Sequence, residues 1–411
     1  METAAITSAK HVILMTGSIL AVGSLSGLLA RKFGFPDVVV FLLFGILMGP
    51  EALGIVNATV EPAFCHFMII FGACYILFDG GASLRLEVLK EVWLTIVALA
   101  TAGVLITAGI TGLAAAHMLG IPFITAMLLG AVLSSTDPAT LIPLFRQIKI
   151  RERVAQTVVS ESAFNDAMGA IATFTLLGAA MGTGKFVLVS ATSVLVTNAL
   201  IGVVSGAVLG YAASFLIAHE RFSFLMEYAP IVTLMTMAGA YLAAEGLNGS
   251  GFMAVFVFGI MLGNKKSFGF AMKPGEKKKL DDFIATTSLI MRMFIFILLG
   301  SQANFALIGE HLGSGILLVL VFMFIARPVT VFACALPDRR ARWSLKELLF
   351  ICWTRETGVI SGALAGILLG MRVPGAEVIA SVTFLAILLT ILAQATTTRW
   401  LARKLGLLEE P

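Results

Sequence analysis

The chain has 411 residues, of which 59% are hydrophobic and 13% charged, and its mean hydropathy is +0.99. Soluble domains run at about 45–50% apolar and about 25% charged residues, so too few charges are present to cover a water-facing surface, and most of the chain must meet lipid. The net charge of +4 is no argument for a nucleic acid partner, because the basic residues sort by side of a membrane.

Thirteen apolar stretches follow one another, at 11–30, 36–50, 63–80, 92–117, 121–145, 157–181, 186–218, 227–244, 249–264, 282–300, 314–336, 347–370 and 375–398. About 20 apolar residues at 1.5 Å each carry a helix across a bilayer. The series predicts an all-α polytopic membrane protein of about 13 transmembrane helices with no soluble domain, followed by a short cytoplasmic tail over 399–411. The first stretch is followed by no small-residue cleavage site and is expected to stay as a span. Cys65, Cys74, Cys334 and Cys352 sit singly in apolar surroundings and read as small buried hydrophobes, not as a metal site or disulfide set. Connections after odd-numbered stretches carry 22 Lys and Arg, those on the opposite side only Lys10, Lys185 and Arg372. This asymmetry places the N-terminus outside and the C-terminus in the cytoplasm.

In the third stretch His66 is read as a packed histidine. The fifth contains Ser134-Ser135-Thr136-Asp137-Pro138. Proline removes a backbone donor and pushes the residue before it away from helical dihedrals, so the helix is expected to break near Thr136 and Asp137 at membrane depth. Broken backbone there survives only where it is buried in protein or lines a cavity, and freed carbonyls at such a break can hold a cation. A plain proline kink capped by Asp137 is the competing reading. The sixth stretch contains Ser160-Glu161-Ser162-Ala163-Phe164-Asn165-Asp166. Ser162, Asn165 and Asp166 share one helix face, with Glu161 on its shoulder, and such oxygens suit a hard cation. The competing reading, a hydrogen-bond patch between helices, accounts for the Ser and Asn but poorly for two acids.

Gly202, Gly206 and Gly210 form a small-residue stripe on the seventh stretch, read as close packing within one protomer in preference to dimerisation. Gly182-Thr-Gly-Lys185 lacks the rest of a phosphate loop, and the sequons at Asn57 and Asn248 are read as chance. Lys265 to Lys279 form a cytoplasmic anchor. Arg292 and Arg327 are read as structural, paired with Asp79 or Glu356. The twelfth stretch holds Thr354-Arg355-Glu356-Thr357-Gly358. A charged side chain at a helix centre costs roughly 2.5–3.5 kcal/mol and Arg355 keeps its charge, so it needs an anion, for which Glu161 and Glu356 are the candidates. The fifth and twelfth stretches hold matching positions in two six-span halves, 1–6 and 8–13, which fits inverted repeats joined by span seven, with crossed discontinuous helices 5 and 12.

Ser135-Thr136-Asp137-Pro138, Glu161-Ser162-x-x-Asn165-Asp166 and the intramembrane Arg355, in that order and spacing, resemble the cation/proton antiporter superfamily. The Asn165-Asp166 pair is similar to its electroneutral NhaP-type sodium/proton antiporter branch, related to the eukaryotic sodium/proton exchangers. Phe78-Asp79-Gly80-Gly81 and Gly249-Ser250-Gly251-Phe252 look like further motifs of the family, and the resemblance spans essentially the whole chain. It implies a homodimer in which spans 4–6 and 11–13 form the ion-translocating core and spans 1–3 and 8–10 the dimer scaffold. It further implies that Asp166 binds cation and proton in turn, that Thr136, Asp137 and Ser162 help hold the cation, and that Glu161 and Arg355 form a supporting ion pair beside Asn165. Two departures stand out: Glu356-Thr357-Gly358 follows Arg355 where Gly-Ala is more usual, and Asp79 replaces a Glu.

The expected function is secondary exchange of a monovalent cation, Na+ first and K+ or Li+ as alternatives, for H+ across a bacterial inner membrane. A carboxyl group in a dry interior holds a proton more readily than one in water, so proton and cation compete at Asp166. No enzyme activity, cofactor or nucleic acid partner is expected. A passive cation channel is the alternative, although no repeated carbonyl filter appears. An intramembrane aspartyl protease is the weaker alternative, lacking its Gly-x-Gly-Asp signature.

Overall fold

A computed structural model describes residues 4–33, 35–57, 61–181, 188–219 and 223–408. Thr59, Lys185 and Arg221 lie outside these. Among the described residues every element is helical: α1 (Ala4–Phe33), α2 (Asp37–Met48), α3 (Pro62–Ser83), α4 (Leu86–Ala100), α5 (Ala102–Leu119), α6 (Phe123–Ser134), α7 (Pro138–Ile148), α8 (Glu152–Ala180), α9 (Leu188–Ala218), α10 (Ser223–Met226), α11 (Ala229–Gly246), α12 (Gly251–Gly263), α13 (Pro274–Ser301), α14 (Phe305–Glu310), α15 (Leu312–Val321), α16 (Arg327–Ala335), α17 (Leu345–Trp353), α18 (Val359–Gly370), α19 (Ala376–Thr390) and α20 (Thr396–Leu405). Seven helical segments, Leu86–Leu119 and Ala376–Leu405 among them, are long and apolar enough to cross a membrane by length and composition. Shorter apolar helices include α2, α6, α12 and α18. Large apolar side chains such as Ile13, Leu113, Val208 and Leu242 stay exposed on the outer faces, as expected where the surrounding medium is hydrocarbon. The last helix runs to Leu405, past the expected end at 398.

Two helices are broken where the sequence places their breaks. Between α6 and α7 the chain is extended, with Ser135 at φ −74° and ψ 141°; Pro138 opens α7, where a missing N–H costs nothing. Thr354 returns its hydroxyl to the Phe350 carbonyl at 3.0 Å at the end of α17, and the chain stays non-helical until Val359. The two extended segments cross: Asp137 N donates to the Glu356 carbonyl at 2.8 Å, and the Ser361 hydroxyl donates to the Val132 and Ser135 carbonyls at 2.8 and 3.3 Å. Backbone groups freed by both breaks thus satisfy one another, as a dry interior demands. Two wide π turns, Phe322–Ala326 and Ile391–Ala395, lie in the helices α15–α16 and α19–α20. The first precedes Pro328, whose missing N–H and ring prevent a regular α turn there.

The helices α2, α3, α9, α11, α12 and α13 pack among themselves, and α4, α5, α6 and α8 with α15 to α20 make a second set; α7 lies against α3 and α8. Gly206 faces α12 so closely that a Cβ there would meet the Ala254 backbone. The glycine stripe of the seventh stretch therefore packs inside one protomer, as expected. All four cysteines are free and buried. His66 differs from the expectation: it is exposed and bonds the Pro62 carbonyl at 2.7 Å.

At the end where the chain approaches its C-terminus, polar links tie several helices. Arg153 reaches Glu347 and the Ala341 carbonyl and stacks over Trp343 at 4.9 Å. Asp338 accepts from Thr95 at 2.6 Å. Arg151 N donates to the Leu407 carbonyl at 3.0 Å, beside an antiparallel bridge between Ile150 and Leu408.

Candidate functional site

The crossing gathers the polar groups that the sequence marked. Ser135, Thr136, Asp137, Glu161, Ser162, Asn165, Asp166, Arg355 and Glu356 are each at most 4% exposed. The α8 face works as the spacing predicts. The Thr136 hydroxyl donates to Ser162 Oγ at 2.8 Å, and the Thr136 N–H donates to Asn165 Oδ1 at 3.1 Å. Asn165 therefore holds the extended segment against α8 while Asp166, one residue on, meets Ser135. The Ser135 hydroxyl donates to Asp166 Oδ1. Asp166 Oδ2 is buried and makes no hydrogen bond among the described residues. This acid is within the protein and beside the break, as the sequence reading requires.

Asp137 sits where two half-helices begin. Thr140 donates to its Oδ2 at 3.0 Å inside α7. Gly358, the residue before α18, approaches the same carboxyl so closely that a Cβ would collide with it. The positive ends of two helix dipoles thus face one acid. The opposite pole is handled by Arg355, whose Nη2 donates to the Ser134 carbonyl, at the end of α6, at 2.5 Å. The same guanidinium lies over the Phe322 ring, 5.4 Å from its centre.

The ion pairs differ from the sequence expectation in their weighting. Arg355 reaches Glu161, at 3.5 Å, so the expected pair forms. The nearer partner of Glu161 is Arg327: Nη1 and Nη2 bind both carboxylate oxygens, and Nε and Nη2 also bond the Ile351 carbonyl at 3.1 and 2.9 Å. Arg327 was expected to meet Asp79 or Glu356. It meets Glu161 because α16 brings its first residue to the end of α17, where Ile351 has a free carbonyl. Arg292 meets Asp37, at 3.7 Å across α2 and α13. Asp79 accepts from Ser288 at 2.8 Å.

Sequence reasoning named neither Ser135 nor Arg327 as a site residue. Ser135 adjoins the Thr-Asp-Pro break and, like Thr136, bonds a residue of α8; its place beside the break was the available signal. No local signal selects Glu161 for Arg327, since several intramembrane acids could serve. Among the described residues no group of three or more His, Cys, Asp or Glu is gathered as for a resident metal. What the crossing gathers is single carboxylates set among hydroxyls, an amide and helix ends, all of them hard donors.

Known proteins resemble this chain in sequence and in overall structure. The transmembrane sodium/hydrogen exchanger family matches residues 17–404. The Na(+)/H(+) antiporter 1 of Methanocaldococcus jannaschii is 31% identical over 416 residues, covering 95% of this chain and 94% of that protein. The K(+)/H(+) antiporter NhaP of Alkalimonas amylolytica is 30% identical over 401 residues, and the chain, 95% covered, spans only 66% of that longer relative. The structure of the sodium proton antiporter MjNhaP1 from Methanocaldococcus jannaschii at pH 8 superposes with a TM-score of 0.81 at 29% identity, over 96% of this chain and 99% of that one. With crossed broken helices, a buried acid beside the break and a family match over nearly its whole length, the chain belongs to the sodium/hydrogen exchanger family.

Proposed function

We propose that the chain is a secondary antiporter that exchanges a monovalent cation for protons by competition at Asp166. The observation that carries this reading is the buried Asp166 carboxyl, one oxygen held by Ser135 and the other without a hydrogen bond among the described residues, at the crossing of two broken helices. A proton on that oxygen and a cation against it exclude each other. Thr136, Asp137 and Ser162 supply further oxygens for the cation. Asn165 fixes the break against α8, and Glu161 with Arg355 steadies the site. If the empty charged site cannot cross while either loaded form can, exchange is obligatory, and access alternates as one helix set moves against the other.

With Asn165 neutral, one proton for one cation is the simplest exchange, and it is electroneutral. Na+ is the favoured cation, in keeping with the names of several relatives; the K(+)/H(+) relative keeps K+ as an alternative. The two six-span halves are read as inverted repeats, with spans 4–6 and 11–13 as moving core and spans 1–3 and 8–10 as the scaffold of a homodimer. The distribution of Lys and Arg supports an inner-membrane setting with the N-terminus outside and the C-terminus in the cytoplasm.

The test is exchange in everted vesicles with an acid interior. Adding NaCl, KCl or LiCl should dissipate the pH gradient, and Asp166→Asn should abolish the response with the protein present in the membrane. A fully active Asp166→Asn protein would remove the mechanism. Cation flux without proton movement would favour the channel reading, and flux that depends on voltage would reject electroneutral exchange.

A further inference from the structure

Glu356 has no role in the mechanism above. It is 0% exposed, and both carboxylate oxygens are buried without a hydrogen-bond partner among the described residues. Its charged neighbours are Asp137 and Arg327, and Arg327 is already engaged on both Nη atoms by Glu161. A buried carboxylate in this state is costly unless it takes up a proton or a cation or donor meets it.

The surroundings of Glu356 point the same way. Trp353 Nε1 donates to Thr397 Oγ1 at 2.9 Å, and Thr357 N donates to Thr390 Oγ1 at 3.1 Å. The segment 354–356 therefore runs beside 391–396. That stretch holds the π turn Ile391–Ala395 and, within it, Gln394. Gln394 is 1% exposed, and neither its amide oxygen nor its nitrogen has a partner among the described residues. The Thr357 hydroxyl is buried and unpartnered too. No proline accounts for this second π turn, and such turns are frequent at functional sites.

We propose that Glu356 and Gln394, with the Thr357 hydroxyl, form a second station for the transported alkali cation, on the α19–α20 side of the crossing. The donors are hard oxygens, one of them a full charge, which suits an alkali ion and not a softer metal. The cation passes between this station and Asp166, so the Glu356 side contributes to affinity and to the choice among Na+, K+ and Li+. This rests on the transport reading of the Asp166 site.

The test uses the full chain in proteoliposomes, with initial exchange rates measured against NaCl, KCl and LiCl. Glu356→Gln keeps the shape and removes the charge; Gln394→Leu removes the amide at similar volume. Both variants should raise the KM of the preferred cation by about tenfold, equivalent to roughly 1.4 kcal/mol, and should alter the ranking of the three ions. In detergent, the stabilisation of the wild type by the same salts over choline chloride should shrink in both. Wild-type KM values and ranking in Gln394→Leu and in a folded Glu356→Gln overturn the proposal. Should Glu356→Gln fail to fold, Gln394→Leu, which changes no charge, decides alone. Activity in Asp166→Asn would instead overturn the underlying transport reading, and the KM comparison would remain separately readable.

Discussion

Removing Arg327 should cost far more stability than removing Arg355. Arg327 makes a two-pronged contact with Glu161 and two hydrogen bonds to the Ile351 carbonyl. Arg327→Met leaves Glu161, 1% exposed, with only Arg355 at 3.5 Å. Breaking a buried ion pair by losing one partner costs about 3–5 kcal/mol, because the remaining charge stays buried. The orphaned Ile351 carbonyl adds about 1–3 kcal/mol. The total, roughly 4–8 kcal/mol, is a large part of the 5–15 kcal/mol typical of a folded domain. Arg355→Met loses the hydrogen bond to the Ser134 carbonyl and a weaker approach to Glu161, about 2–3 kcal/mol by the same reasoning. Thermal melting of purified protein in one detergent, read by the monodisperse fraction that survives heating, ranks the two. Arg327→Met should accumulate poorly and melt well below Arg355→Met. Pairing Arg327→Met with Glu161→Leu should recover at least half of the loss, since buried ion pairs can often be exchanged for apolar side chains. An Arg327→Met protein that melts with the wild type, or above Arg355→Met, would refute the assignment of Arg327 as the main partner of Glu161.

Three further outcomes follow from contacts elsewhere. Gly358→Ala places a methyl group against the Asp137 carboxyl; overpacking of this kind costs about 1–3 kcal/mol, and the exchange rate in vesicles should fall while the protein still assembles. Gly206→Leu should lower the melting temperature by prising α9 from α12, with no change in elution volume; a changed elution volume at wild-type stability would place the stripe between copies instead. Asp338 lies in the connection between α16 and α17; burial opposes its ionisation, but hydrogen bonds from Thr95 and from the Ala341 and Arg340 N–H groups outweigh this and hold its carboxyl below the ordinary aspartate range. The stability it contributes is present above the unfolded-state value near 3.9 and is lost as pH falls through the folded one. Asp338→Asn should therefore cost about 1–2 kcal/mol at neutral pH, with the gap to wild type closing in acid below about pH 4.

Much of this architecture was legible because membrane helices obey few rules. Pro138 fixes the first break, for it restricts Asp137 and removes an N–H that lipid cannot replace. The second break carries no proline, and only the match between the two halves predicts a discontinuous helix there; no residue of the twelfth stretch fixes its place. The helix spacing of Ser162, Asn165 and Asp166 was enough to put them on one face, and that face does meet Thr136. Pairing was not legible. Arg327 and Arg355 both need an acid, and a one-dimensional string holding Asp79, Asp137, Glu161, Asp166 and Glu356 does not rank them; the choice depends on α16 starting, after the π turn, with Arg327 beside Ile351. His66 was misjudged because a polar residue in an apolar run looks buried, whereas it lies near the helix start, where exposure and its bond to Pro62 satisfy it.

The link between Arg151 and Leu407, with the bridge from Ile150 to Leu408, fastens the last described residues to the short turn that joins α7 to α8. The first of these helices starts directly after Asp137, and the second carries Asp166. Cargo fused behind residue 408 by a stiff joint therefore tugs on the turn that must adjust whenever these helices do, and acts as a load on ion exchange. A reporter meant to observe the exchanger without disturbing it needs slack at that joint.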